Sequence, residues 1–366
     1  MHNRHLQLRT SALLFALAAL LCALSFRADA QSNDAPLTSQ EIVRLVYQLP
    51  KNPALREEIV KEIRRRGIGF PLTDGLLRVV ATKSGNDALL RRTLEEAERR
   101  RVNPGASTLP PEAETSGLLE RGRAATLAAA EAMPDFVVKE LITRSFALGN
   151  TQNWKVIDHL SFAVSNRADG PEEYKVLAID GQPPGDNTSI DRQLGNGVIS
   201  AGEFVLKLKY IFEKERPATF KAVDTDTLRG HHTIIYEFQM SRDNSRWHII
   251  DDNRTVIPAY HGRVWIDRET YRVLRLEMIA DLPTDVPAGF SVTRVVSVID
   301  YDWVTIAERQ YLLPVHASSV MASNIKGQAI QARNEIRFRN YQKFGSEVKI
   351  IEDDFVDEET PEQTKP

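Results

Sequence analysis

The side chains best suited to chemistry fall between residues 195 and 302. His231 and His232 share a short run with Glu237, and His248, Asp251 and Asp252 follow on the next extended segment, so a metal site on one sheet is conceivable. Adjacent residues on a strand point to opposite faces, however, so His231 and His232 do not readily share a ligand. No helical H-E-x-x-H pattern and no Cys/His zinc spacing accompanies them. A nucleophile fares no better. Ser200-Ala201-Gly202-Glu203 reads as a helix cap and not as a nucleophile elbow, and Gly195-Asn196-Gly197 lacks the Lys-Ser/Thr of a phosphate loop. Asp300 and Asp302 could act as paired carboxylates, but with no cleft signal around them they read as edge or turn acids. Trp154, Trp247, Trp265 and Trp303 sit at strand positions, where core or cavity-lining roles dominate. The residues thus offer no case for an enzyme, a cofactor or a metal.

The elements that carry these residues alternate with a period of two. "HHTIIYEFQM" puts Ile234, Tyr236, Phe238 and Met240 on one face. "GRVWIDRETYRVLRLEMIA" forms two such runs around a polar turn, Asp267 to Thr270. Leu274, Leu276 and Met278 take its inner side, and Arg275 and Glu277 the side expected to face water. "AIQARNEIRFRNY" sets Ile336 and Phe338 against Arg337 and Arg339. Further runs at 136–148, 154–164, 173–180, 218–225, 246–251, 259–267, 291–302 and 310–323 bring the total to ten or eleven strands, mostly joined by short turns. Such a succession predicts a mainly antiparallel sheet with one solvated face. Its apolar face needs a cover. Two helices can supply it: an alanine-rich one at 118–133, and one at 200–215 carrying Phe204, Leu208, Ile211 and Phe212 along a stripe.

Before the sheet, residues 37–101 read as four helices. The first opens with the capping box Thr38-x-x-Glu41, the second stops at Gly67, the third starts near Thr73 and ends at Gly85, and the fourth runs from about Asn86. Arg64-Arg65-Arg66 and Arg99-Arg100-Arg101 close two of them, as favourable charges on solvated helix C-termini or as a docking surface for an acidic partner or an anionic membrane. Residues 102–117, rich in Pro, Ser and Glu, are the expected linker to a domain spanning 118–350, and 351–366 reads as an acidic, disordered tail.

The first thirty residues read as a secretory signal peptide. Arg4 and Arg9 precede an apolar core, and Ala28-Asp29-Ala30 is a small-x-small cleavage site before Gln31. The one cysteine, Cys22, lies inside it, so the exported chain is expected to have no disulfide and to rely on a buried core. Loss of Arg4, Arg9, Arg27 and Asp29 takes the formal charge from −3 to about −5, a mild value that points to no nucleic-acid partner. No later apolar run is long enough to span a bilayer, so a periplasmic or secreted location is expected.

"GRVWIDRETYRVLRLEM", "YDWVTIAERQYLLPVHASSVM" and "IRFRNYQKF" carry a resemblance to the periplasmic lipoprotein-carrier superfamily, the LolA/LolB-like proteins and outer-membrane lipoprotein-sorting relatives. It covers about residues 134–345. "GIGFPLTDGLL" and the helices around it also resemble, loosely, a short helical module of exported bacterial proteins. The carrier resemblance implies an α+β fold: a large curved antiparallel sheet, an unclosed barrel with covering helices, here preceded by the small all-α module. It also implies a hydrophobic cavity for lipid or lipoprotein acyl chains, each buried methylene contributing about 0.8 kcal/mol. Candidate lining residues are Phe204, Phe212, Ile234, Tyr236, Phe238, Leu274, Leu276, Ile336 and Phe338. The same nine residues could instead fill a solid core. The protein would then be an envelope scaffold or sensor acting through protein contacts, with an envelope protein as partner for the helical module.

Overall fold

The computed structural model describes residues 35–149, 153–167, 172–184, 204 and 206–344. The expected signal peptide, the Ser200–Glu203 cap, the Gly195–Gly197 turn and the acidic tail lie outside them.

Four helices come first: α1 (Ser39–Val46), α2 (Leu55–Arg66), α3 (Asp74–Ser84) and α4 (Ala88–Val102). Their ends follow the sequence signals. Thr38 accepts from the Glu41 backbone N–H while the Glu41 carboxylate accepts from the Thr38 N–H, which closes the capping box. That exchange, with Arg66 nearby, draws the Glu41 carboxyl down to about 2. Gly67 and Gly85 end α2 and α3 at φ +68° and +66°, where a side chain would be strained. A 3₁₀ turn (Pro104–Ser107) and α5 (Glu112–Glu131) follow. Pro111 stands directly before α5, and the helix starts six residues earlier than its periodicity suggests, inside the expected linker.

The strands are β1 (Phe136–Leu148), β2 (Lys155–Asn166), β3 (Glu173–Ile179), β4 (Thr219–Leu228) and β5 (His231–Met240), with α6 (Leu206–Phe212) between β3 and β4. A two-stranded ribbon, β6 (Ile249–Asp251) and β7 (Arg254–Val256), precedes β8 (Ala259–Asp267), β9 (Val273–Asp281), β10 (Val292–Ile306), β11 (Arg309–Ile325) and β12 (Gln328–Lys343). Ten of them form one sheet in the order β3-β2-β1-β12-β11-β10-β9-β8-β5-β4. Every pairing is antiparallel. The long return of β12 against β1 sets Ile142 opposite Ile336 and inserts the last strand in the middle of the sheet. β3 and β4 stand at its two ends, and no pairing joins them among the described residues. The sheet is therefore an unclosed antiparallel one with covering helices, as expected.

Each face has its own cover. The inner face packs against α5 and α6 in the main apolar cluster. The outer face was expected to be wet, and over β8 to β10 it is not. Ile42, Ile59, Ile63, Leu90 and Leu94 of the helical module pack in one cluster with Ile279, Val296 and Val298 of the sheet. Glu277 is 1% exposed in consequence. This corrects the reading of Arg275 and Glu277 as a solvated strand face. Strand alternation separates the two faces correctly but is silent on what covers the polar one. The turn between β8 and β9 forms as expected, the Tyr271 N–H donating to the Asp267 carbonyl at 3.0 Å.

The module meets this face through charge as well as apolar contact. Arg64 donates to Glu277 at 2.9 Å and lies 3.6 Å from Glu96, while Arg99 donates to Asp226 at 2.7 Å and Arg100 to Asp224. Arg65 and Arg101 instead pair with Glu62 and Glu98 of their own helices. So Arg64, Arg99 and Arg100 are docking residues, and only part of each triplet is a solvated helix end. Asp300, expected as an edge or turn acid, is inside the sheet and receives Arg275 at 2.7 Å.

Candidate functional site

The candidate site is the inner face of the sheet with its two covering helices. Ile234, Tyr236 and Phe238 reach it from β5, Leu274 and Leu276 from β9, and Ile336 and Phe338 from β12. Phe212 reaches it from α6, and Phe204 from just before that helix. All nine belong to one cluster and none is more than 3% exposed. Strand alternation accounts for seven of them, since i and i+2 share a face, and the i to i+8 spacing of Phe204 and Phe212 for the other two.

Aromatic rings join these residues in two groups. Phe204 sits edge-on to Phe136 at 5.4 Å and to Phe338 at 5.2 Å, and Phe136 is in turn edge-on to Tyr341 at 5.4 Å. Phe212 stacks on Phe220 at 5.4 Å, which leads on to Phe238 at 5.9 Å, Tyr260 at 6.0 Å and Trp247 at 5.6 Å. Such pairs add about 0.5–1.5 kcal/mol each beyond their burial. Between α5, α6 and the sheet a pocket of about 30 Å³ is left, bounded by Ala129, Phe204, Leu208, Val273, Tyr301 and Leu312.

Sequence reasoning missed what lets α5 come so close. Gly122 lies so near Ile266 that an added Cβ would stand 3.0 Å from its Cδ1, and Thr126, Ala129 and Ala130 line the same side of the pocket. The alanine-rich composition was the available signal. Tyr236 also does more than fill space: its hydroxyl donates to the Thr115 carbonyl at 2.7 Å and ties α5 to β5. Burial pushes that phenol far above its ordinary range.

The face is polar at one end. Arg144 and Asn334 share a cross-strand position two residues beyond Ile142 and Ile336, so they lie on the same inner side. Arg144 is 4% exposed and its Nε donates to Asp158 at 2.7 Å. Glu140, 1% exposed and opposite Phe338, adds a buried carboxylate to the same face, so among the described residues the chemistry available there is apolar burial beside buried charge.

The histidines are dispersed. His231 pairs with Asp267 at 2.9 Å, His248 lies 3.0 Å from the Arg246 carbonyl, and His232 lies 3.4 Å from the Thr227 hydroxyl. Among the described residues no group of three or more His, Cys, Asp and Glu side chains is placed to hold a metal ion. The tryptophans divide. Trp265 is buried on the outer face and donates to Asp226 at 3.1 Å, Trp247 borders the inner core, Trp154 donates to the Gly85 carbonyl, and Trp303 is exposed.

No protein-family model matches the sequence, and no curated protein matches it. Solved structures do. A LolA superfamily protein from Nitrosomonas europaea aligns over 62% of this chain and 94% of its own, at 10% identity and a TM-score of 0.30. An outer membrane lipoprotein-sorting protein domain from Vibrio parahaemolyticus aligns over 63% and 93%, at 14% identity and a TM-score of 0.30. A DUF1329 family protein from Desulfovibrio piger aligns over 63% and 95%, at 8% identity and a TM-score of 0.28. Among the described residues no helix is long and apolar enough to cross a membrane. At these identities and TM-scores the likeness brings no residue role, ligand or partner to this chain.

Proposed function

We propose that the chain is an exported, non-enzymatic protein that binds a hydrophobic ligand, a lipid or the acyl chains of a lipoprotein, on the inner face of its sheet. The observation that supports this reading is the way the face is closed. Phe204 and the short helix Leu206–Phe212 place two phenylalanines into the apolar cluster of this face. An acyl chain entering the site would take over the contacts that those rings make with Phe136, Phe220 and Phe338. Each methylene it buries contributes about 0.8 kcal/mol towards displacing the cover. In this reading residues 1–30 are removed on export, 37–101 form a helical module, 118–350 form the binding domain, and Phe204, Phe212, Ile234, Tyr236, Phe238, Leu274, Leu276, Ile336 and Phe338 are its lining.

A second reading has a specific observation in its favour. Among the described residues the pocket between α5, α6 and the sheet is only about 30 Å³, and a tightly filled inner face is what an envelope scaffold acting through its helical module would require. Native mass spectrometry of the protein purified from its own envelope, with titration of a fluorescent fatty acid, separates the two. Co-purifying lipid, or saturable probe binding that rises in Phe212→Ala, supports the binder. Neither lipid nor probe binding, in the parent or in Phe212→Ala, leaves the scaffold.

A further inference from the structure

A larger space lies on the opposite side of the sheet, between the helical module and β12. This cleft has a volume of about 610 Å³ and runs from α3 (Leu77, Arg78, Ala81) past the α3–α4 turn to Arg333 and Glu335. A recess of about 40 Å³ adjoins it, sharing Asn86, Asp87, Ala88 and Arg333 and adding Trp154, Arg56, Arg92 and Arg294. The volume falls in the range of small-molecule sites, about 300–1,000 Å³.

Charge decides what the space would accept. Six guanidinium groups and three carboxylates line the cleft and its recess together. Two of the carboxylates are already engaged. Asp87 caps α4 through the Leu90 N–H at 2.8 Å and holds Arg56 at 2.7 Å, while Glu335 receives Ser318 at 3.1 Å and lies 3.1 Å from the His316 ring. Arg294 and Arg91 are taken up by Glu57 and Glu95 outside the cleft.

Arg78, Arg92 and Arg333 remain, with the Glu277 carboxylate acting on Arg92 from the sheet without a hydrogen bond. Among the described residues none of the three side chains makes a hydrogen bond, and the Nε groups of Arg92 and Arg333 are both buried. Arg333 lies 3.7 Å from Glu335, too far for a hydrogen bond, and spends one face of its guanidinium on the Trp154 ring at 4.5 Å. Burial draws its pKa down. A buried guanidinium donor without an acceptor is costly, and the acceptors that suit its fork are carboxylate and phosphate. Leu77, Val80, Ala81 and Trp154 supply an apolar wall beside it.

We infer that this cleft binds an organic anion, a carboxylate or phosphate group carried on an apolar or aromatic body, with Arg78, Arg92 and Arg333 on the charged group and Trp154 beside the body. The site is on the other side of the sheet from the inner-face cluster and does not depend on the reading proposed for that cluster. The anion can come from a free metabolite-sized molecule or from a lipid headgroup.

The test uses the full exported chain and three probes: inorganic phosphate, phenyl phosphate, and phosphatidylcholine vesicles with or without phosphatidylglycerol. Tryptophan emission and calorimetry report binding. Phenyl phosphate is expected to bind more tightly than inorganic phosphate and to change Trp154 emission, a change absent in Trp154→Phe. Arg333→Gln should weaken binding about tenfold or more, as loss of a charge-assisted hydrogen bond does. Arg78→Gln, at an exposed position that cannot unfold the chain, should weaken it in the same direction. Binding only to vesicles with phosphatidylglycerol, lost in the same variants, assigns the anion to a lipid headgroup. No binding of any probe, or binding that Arg333→Gln and Arg78→Gln leave unchanged, overturns the inference.

Discussion

The contact between the helical module and the outer face can be broken at one point, Arg64–Glu277. Their side chains are 11% and 1% exposed and 2.9 Å apart, Arg64 also lies 3.6 Å from Glu96, and Glu96 in turn lies 3.9 Å from Arg263. At 2.9 Å, attraction in a medium of effective dielectric constant about 20 is about 6 kcal/mol before desolvation is subtracted. Removing one partner leaves the other charge buried and uncompensated, which costs about 3–5 kcal/mol. Arg64→Met and Glu277→Gln should each lose that much. The double variant returns the cluster to balance with Arg263 and Glu96 and should recover about 2–3 kcal/mol of the summed loss.

Urea unfolding measures this with two probes, far-ultraviolet circular dichroism for the whole chain and tryptophan emission, to which Trp265, buried and bonded to the Asp226 that receives Arg99 of the module, contributes. With a slope near 3 kcal/mol per molar, each single variant should lower the midpoint by about 1–2 M. Acid adds a sign. Burial acts to raise the Glu277 carboxyl, but Arg64, Arg92 and Arg263 overcome it and hold the group below its ordinary range. Its contribution is therefore present above pH ~4.5 and lost as pH falls through the depressed value. Glu277→Gln should flatten that acid loss. Glu96 runs the other way. Burial first, and then the Glu277 charge, lift its carboxyl, so its contribution is full below pH ~4.5 and lost as pH rises through the raised value. Single losses below 1 kcal/mol that add without coupling would refute the reasoning, because they would mean that water reaches the pair.

Phe212→Ala should cost about 3–5 kcal/mol by urea titration, the usual cost of emptying a buried aromatic site. Gly262→Ala should destabilise by about 3 kcal/mol or more, since its Cβ would fall 1.8 Å from the Glu277 carbonyl oxygen and the strand pair would have to part. His261 should titrate above 6.5 by nuclear magnetic resonance, because its hydrogen bond to Asp281 raises it against the pull of burial. Asp281→Asn should bring it back down. The small stability this pair adds is present below pH ~6.5 and fades as pH rises through the raised value.

The sheet was legible because its strands obey a two-residue period and one face must be dry. β12 shows this best: Ile336 and Phe338 are buried, and Arg337 and Arg339 are exposed. Helix ends were legible where a single residue sets them, as at Thr38, Gly67 and Gly85. The fate of the polar strand faces was not, because Arg337 and Glu277 look alike in sequence and differ only in whether a helix from over 200 residues away lies on top. Arg64-Arg65-Arg66 shows the same limit within one triplet. Arg64 docks on the sheet, while Arg65 and Arg66 pair with Glu62 and Glu41 of the module, because three consecutive helical residues point in three directions. The arginine cleft stayed hidden for the same reason, since Arg78 and Arg333 are 255 positions apart and meet only through the docking of the module.

The two covers of the sheet differ in the physics that holds them, and this decides which one a ligand could displace. The module is held on the outer face by directional pairs, Arg64–Glu277, Arg99–Asp226 and Arg100–Asp224, together with a shared apolar cluster. An incoming apolar molecule cannot replace a guanidinium fork, and leaving Glu277 or Asp226 buried without one is costly. The short cover on the inner face rests on Phe204, Leu208, Ile211 and Phe212, with Glu213–Arg246 at its end. Apolar contacts are not directional, so an acyl chain can replace them nearly one for one and lose little beyond the ordering of the displaced segment. If one cover moves while the other stays, it is the inner one. The arginine cleft beneath the module would then keep its shape whether the inner face is open or closed.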